Sequence, residues 1–123
     1  MIGWWIVIST QSPEERQQAV DRKAFILATW EVGIGGLDWL EQLVARRDAR
    51  KIRSDGYPNV YIASAAVVLP LLVDGPPAHQ GLAVIGDDYV LPANWLGKVE
   101  IHADRMASCP AQHQLTIEAW DLS

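Results

Sequence analysis

The sequence predicts an α+β fold: a single globular domain with a mainly antiparallel sheet of about five strands and two main helices on one face. Three observations carry this expectation. The chain has 123 residues, half of them apolar, which is the length and the apolar content of one ordinary domain with a real core. Its segments run strand, two helices, hairpin, short helix, long loop and two strands, an order that favours antiparallel pairing over repeated βαβ units. Glycine, proline and aspartate clusters punctuate these segments, and no repeat, low-complexity tract or linker is present.

Trp4-Trp5-Ile6-Val7-Ile8 is short, apolar and β-branched, which predicts a strand buried on both faces. Because side chains alternate, Trp4 and Trp5 point to opposite faces of the sheet. Ser12-Pro13-Glu14-Glu15 places an N-cap serine, a proline at the first helical position and a glutamate that returns the capping bond. A long helix is expected from there to about Val32, with Gly33 ending it. Val20, Ala24, Leu27 and Trp30 would share one face of that helix. Glu31 projects into the same arc and is a candidate buried acid, a residue type that clusters at functional sites.

Gly35-Gly36 opens a second expected helix, Leu37 to about Arg47, with Leu37, Leu40, Leu43 and Val44 as its apolar stripe and Trp39 at the flank, partly covered. The turn residues Ser54 to Asn59 between Ile52 and Val60-Tyr61-Ile62 predict a hairpin, and Pro58 places it at a sheet edge. Ala65 to Val73 reads as a short helix ended by Asp74-Gly75-Pro76-Pro77. Residues 78–97 read as a long irregular stretch, a place where binding residues often stand. Two alternating strands follow, Val99, Ile101 and Ala103 in one and Leu115, Ile117 and Ala119 in the other.

Composition narrows the function classes. The formal charge is −5, and acidic residues are spread along the chain, a balance that argues against direct nucleic-acid binding. No apolar run approaches the ~20 residues of a membrane span, so no membrane association is expected. The amino-terminal run lacks a basic region before it and a small-residue cleavage pattern after it, so no secretory signal is expected. Cys109 is the only cysteine, which excludes an internal disulfide and a thiolate zinc cage, and a cytoplasmic location is expected.

Motifs with chemical content are few. Gly33-Ile34-Gly35-Gly36 precedes a helix, but it lacks the P-loop lysine and reads as a tight turn. Cys109, His113 or His102 and Asp104 supply the residue types of a nucleophilic triad without a supporting spacing, so no catalytic residue is assigned. His79, His102 and His113 stand at no metal-binding spacing, and neither a metal nor a cofactor is expected. Arg46, Arg47, Arg50, Lys51 and Arg53 form a basic cluster whose first members follow a helix C-terminus.

The strongest signal is six tryptophans against a single phenylalanine, since an indole is large and rigid and suits buried binding anchors. Trp39, Trp95 and Trp120, with Tyr89 and the acidic pair Asp87 and Asp88, compose the expected binding surface. Its expected partner is a protein, of basic character, or a second copy in a homo-oligomer. Small acidic domains without motifs are common among phage and mobile-element products, including inhibitors of host defence, and a non-enzymatic inhibitor of that kind is the first expectation. The alternative is a small-ligand or nucleotide-binding domain, a minor enzyme at most, in which aromatic rings stack on a ligand and Arg50 or Arg53 holds its charge. The two differ in geometry: a ligand site brings rings and arginines into one concave pocket.

Overall fold

A computed structural model describes residues 3–18, 23–77, 84–85, 90–91 and 96–122. Among these residues six strands form one sheet: β1 (Trp4–Ser9), β2 (Ile26–Val32), β3 (Ala49–Ser54), β4 (Asn59–Ser64), β7 (Leu96–Ile101) and β8 (Gln114–Asp121). Their order is β3-β4-β8-β1-β2-β7, and every neighbouring pair is antiparallel. Two short strands, β5 (Val84–Ile85) and β6 (Val90–Leu91), pair separately. The helices are α1 (Pro13–Gln18), α2 (Asp38–Ala45), α3 (Ala65–Val68) and α4 (Ala103–Ala107). The fold is α+β, as the sequence predicts, and no helix among the described residues is long and apolar enough to cross a membrane.

Strand alternation sorts the sheet into two faces. Ile6, Ile8, Ala28, Trp30, Val32, Tyr61, Ala63, Leu115, Ile117 and Ala119 form the inner face, and they share one core with Trp39, Leu40 and Leu43 of α2 and with Ala65, Val68 and Leu72. The outer face carries Trp5, Val7, Thr29, Glu31, Val60, Ile62, Thr116, Glu118 and Trp120. In register, Trp5 stands opposite Trp120 on β8 and Glu31 on β2, while Val7 stands opposite Glu118 and Thr29. α1 lies on this side, because Arg16 reaches Glu118. Trp4 and Trp5 therefore do point to opposite faces, with Trp4 against the core.

The capping box forms: the Glu15 N–H donates to Ser12 Oγ at 3.2 Å, and the Ser12 N–H donates to Glu15 Oε1 at 3.0 Å. The long helix expected behind it does not. α1 is described over Pro13–Gln18, and residues 26–32 form β2 rather than the far end of a helix. Ile26–Val32 is buried at every position but the first, so it shows no two-residue alternation, and its apolar residues also fit a helical arc. Its β-branched and aromatic content, Ile26, Thr29, Trp30 and Val32, carries the strand preference that decides the outcome. Gly33 thus closes a strand, and the Gly33–Gly36 loop is a 3-10 turn between β2 and α2 rather than a turn between two helices. Gly36 is required there, because a Cβ at this position would overlap the Val32 side chain.

The hairpin forms between β3 and β4, with β3 at the sheet edge. The segment after β4 is helical from Ala65, with a 3-10 turn through Leu69–Leu72. The alternation expected through Ala103 is interrupted. β7 has a bulge opposite β2, with Lys98 in the left-handed region (φ 47), and Ala103 begins α4.

Candidate ligand cleft on the outer face

The cleft begins at the β3–β4 turn. Asp55 organises this turn by accepting the Tyr57 N–H on Oδ1 at 3.0 Å, and Asn59 Oδ1 accepts the Gly56 N–H at 2.9 Å. Gly56 adopts a left-handed φ of 83, which a side chain would oppose, and its carbonyl accepts the Asp121 N–H at 2.9 Å. That bond ties the turn to the end of β8, so Tyr57 and Pro58 come beside Trp120. From the other side α1 contributes Pro13, Arg16 and Gln17. Together with Arg53, Val60 and Glu118 these residues enclose a cleft of about 180 Å³.

Two charged pairs set its electrostatics. Arg16 donates through Nε at 3.2 Å and Nη2 at 2.6 Å to Glu118 Oε1, and the two side chains are 8% and 11% exposed. This pair forms the floor and largely cancels its own charge. Arg53 stands at the rim, where Nε and Nη2 both approach Asp55 Oδ2 at 2.9 Å. The Arg53 guanidinium, with the Tyr57 N–H behind it, holds the Asp55 carboxyl below its ordinary value. Nη1 of Arg53 has no partner among the described residues. The cleft therefore offers aromatic walls from Trp120 and Tyr57, a prolyl edge and one guanidinium edge still able to donate.

The expected site residues divide as follows. Trp120 and Arg53 meet in this cleft. Trp39 does not belong to any surface: it is 8% exposed and packs on Trp30 with ring centroids 6.2 Å apart. On α2 it is buried beside Leu40 and Leu43, which corrects the expectation of partial cover. Glu31 is buried, but on the outer face of β2 and not on the helical arc expected for it, and Lys98 from the β7 bulge meets its carboxylate at 3.3 Å. Arg50 lies apart from the cleft, on a groove along β3. Asp87, Asp88, Tyr89 and Trp95 lie outside the described residues, so the expected aromatic and acidic surface is represented by Trp120 alone.

Sequence reasoning missed Arg16, Tyr57, Pro58 and Glu118 as cleft residues. Tyr57 and Pro58 were visible as turn residues, and the link to Trp120 is long-range. Arg16 and Glu118 are 102 residues apart, and no local pattern announces their pairing.

Cys109, His113 and Asp104 do line one cavity of about 370 Å³. Burial raises the Cys109 pKa, so it is a protonated thiol at neutral pH and a poor nucleophile. The His113 ring is anchored through Nε2 to the Thr10 carbonyl at 2.7 Å. Among the described residues no group of three His, Cys, Asp or Glu could hold a metal ion. Compared with known protein families, characterised proteins and solved structures, the chain matches none.

Proposed function

We propose that this chain is a binding protein that holds a small planar anion in the outer-face cleft. The observation that carries this reading is the meeting of Trp120 and Arg53 in one concave site, with Tyr57 as a second ring. A ring inserted there stacks on the indole, and a carboxylate or phosphate on that ring faces the open Nη1 edge of Arg53. The volume of about 180 Å³ is well below the ~300–1,000 Å³ of sites for drug-sized ligands, so it suits one ring with its acidic group rather than a dinucleotide. Glu118 does not repel such a ligand, because Arg16 neutralises it at 2.6 Å. A protein partner held by an aromatic and acidic surface has less support. Trp39 is in the core, and Trp120 is flanked by arginines.

An NMR titration with benzoate, phenyl phosphate, benzyl alcohol and benzylamine tests the proposal. The anions should shift the Trp120 indole N–H and the Tyr57 and Arg53 amides, and Arg53→Ala should weaken their binding several-fold. Equal shifts from benzylamine, or none at millimolar anion, would refute it.

A further inference from the structure

The other arginines of the basic cluster stand on a second surface. α2 ends in a paired-bond motif: the Asp48 N–H donates to the Leu43 carbonyl at 2.8 Å, and the Arg47 N–H donates to the Val44 carbonyl at 3.0 Å. This is a Schellman cap, and the residue at its left-handed position is ordinarily glycine. Here it is Arg47, with φ 66. A left-handed arginine costs free energy that glycine would not, and such outliers collect where a side chain is needed in a particular place.

Arg47 lines a groove of about 620 Å³ that crosses the start of β3 and the adjoining ends of β4 and β8, together with Asp48, Arg50, Lys51, Ile62 and Gln114. Register places Arg50 beside Ile62 on the outer face and Lys51 beside Tyr61 on the inner face, so each face of this edge strand carries a cation. Most neighbouring cations are paired: Arg46 with Asp48, Lys51 with Glu41 and Arg53 with Asp55. Arg47 and Arg50 have no acidic partner among the described residues. These two open guanidiniums stand in a chain whose formal charge is −5.

The backbone beside them is itself a binding element. β3 is the terminal strand of the sheet and pairs only with β4 among the described strands, so its far side presents unused ladder groups. Basic side chains on an edge guard it against neutral and basic strands, and the same charges select for an acidic one. We infer that the β3 edge is a docking site for an acidic extended peptide, which adds to the sheet as a further strand with its carboxylates on Arg47 and Arg50. Main-chain hydrogen bonds supply affinity and the guanidiniums supply selectivity. This surface is separate from the ring-binding cleft, and either can stand without the other.

The test uses a fluorescein-labelled heptapeptide, alternating Glu and Val, in fluorescence polarisation. Binding should fall at least threefold with Arg47→Gly and with Arg50→Gln, and about tenfold with both. Arg47→Gly should raise Tm, so its loss of binding is not loss of fold. A peptide with Lys for Glu should not bind. N-methylation at every Glu and, separately, at every Val removes the two alternating sets of N–H groups, and strand addition requires that only one of these versions loses binding. The inference is overturned if both versions bind alike, if the arginine variants bind as the parent does, if no binding occurs at millimolar peptide, or if a single-stranded oligonucleotide of equal charge binds more tightly.

Discussion

Replacing Arg16 with methionine should be among the most damaging single changes on the outer face. The variant keeps the apolar length of the side chain and leaves the Glu118 carboxylate, 11% exposed, facing α1 without its partner. At an effective dielectric of 20, charges about 4 Å apart attract by about 4 kcal/mol. Breaking one side of a buried pair costs about 3–5 kcal/mol, because the remaining charge cannot recover its hydration. For a chain of 123 residues that corresponds to a Tm loss of roughly 12–20 °C. Urea unfolding followed by tryptophan fluorescence measures it, with Arg16→Met/Glu118→Leu as the second variant. The double variant should regain most of the loss, since an apolar pair of similar volume often replaces a buried ion pair without penalty. A loss below about 1 kcal/mol in the single variant would show that water reaches the pair. A double variant as unstable as the single one would show that Arg16 acts through its other contacts and not through Glu118.

Gly36→Ala should destabilise by about 1–3 kcal/mol through overlap with Val32, and Val32→Ala in the same chain should recover part of that loss; additive losses in thermal melts would place the clash elsewhere. Glu15 is held below its ordinary 4.5 by the Ser12 backbone and side-chain hydrogen bonds, so its contribution is complete above the unfolded value and is lost as pH falls through the lower folded one. The stability difference between the parent and Glu15→Gln should therefore shrink on acidification below about pH 4.5, and a difference constant down to pH 2.5 in urea titrations would show that the Glu15 charge plays no part in the cap. Asp55→Asn keeps an acceptor for the Tyr57 N–H but releases Arg53, so phenyl phosphate should bind several-fold more tightly by calorimetry; weaker binding would mean that Asp55 orients Arg53 for the ligand rather than competing with it.

Local chemistry made much of this fold legible. The Ser12 cap, the Asp55-Gly56 turn and the alternation of Leu115, Ile117 and Ala119 each encode their geometry within a few residues, and each occurs where expected. What failed was the period of Ile26–Val32. A strand covered on both faces loses the alternation that distinguishes it from a helix, so Leu27 and Trp30 counted equally well toward either. Trp39 failed for a related reason. A helix wheel gives the angle of a side chain about its axis but not the roll of the helix on the sheet, and α2 rolls Trp39 onto Trp30. The cleft was half visible: alternation from Ala119 sends Trp120 to the outer face, and Arg53 follows from the hairpin. Their meeting depends on β4 pairing with β8, a contact that no sequence window contains.

The arrangement of ion pairs separates the charges that hold the fold from those that remain available. Glu31 and Glu118 are buried on the outer face of a sheet whose other face is the core, and each has a cation brought from a distant segment, Lys98 and Arg16. On the inner side, burial alone would raise the Glu41 pKa, yet hydrogen bonds from Tyr61 at 2.8 Å and Lys51 at 3.1 Å outweigh it and hold the carboxyl low. The same pairing, after burial, pushes the Tyr61 hydroxyl well above its ordinary value, so it remains a donor. The pairs at Glu31 and Glu118 answer a structural need, since each neutralises a carboxylate that the packing has removed from water, whereas Glu41 is half exposed. Among the described residues, Arg47, Arg50 and the Nη1 edge of Arg53 have no such carboxylate. All three lie on β3 or at its entry, and one of them holds a backbone conformation that glycine would hold at lower cost. An arginine at that position is held at a cost in stability that glycine would avoid, and Arg47→Gly should therefore raise Tm.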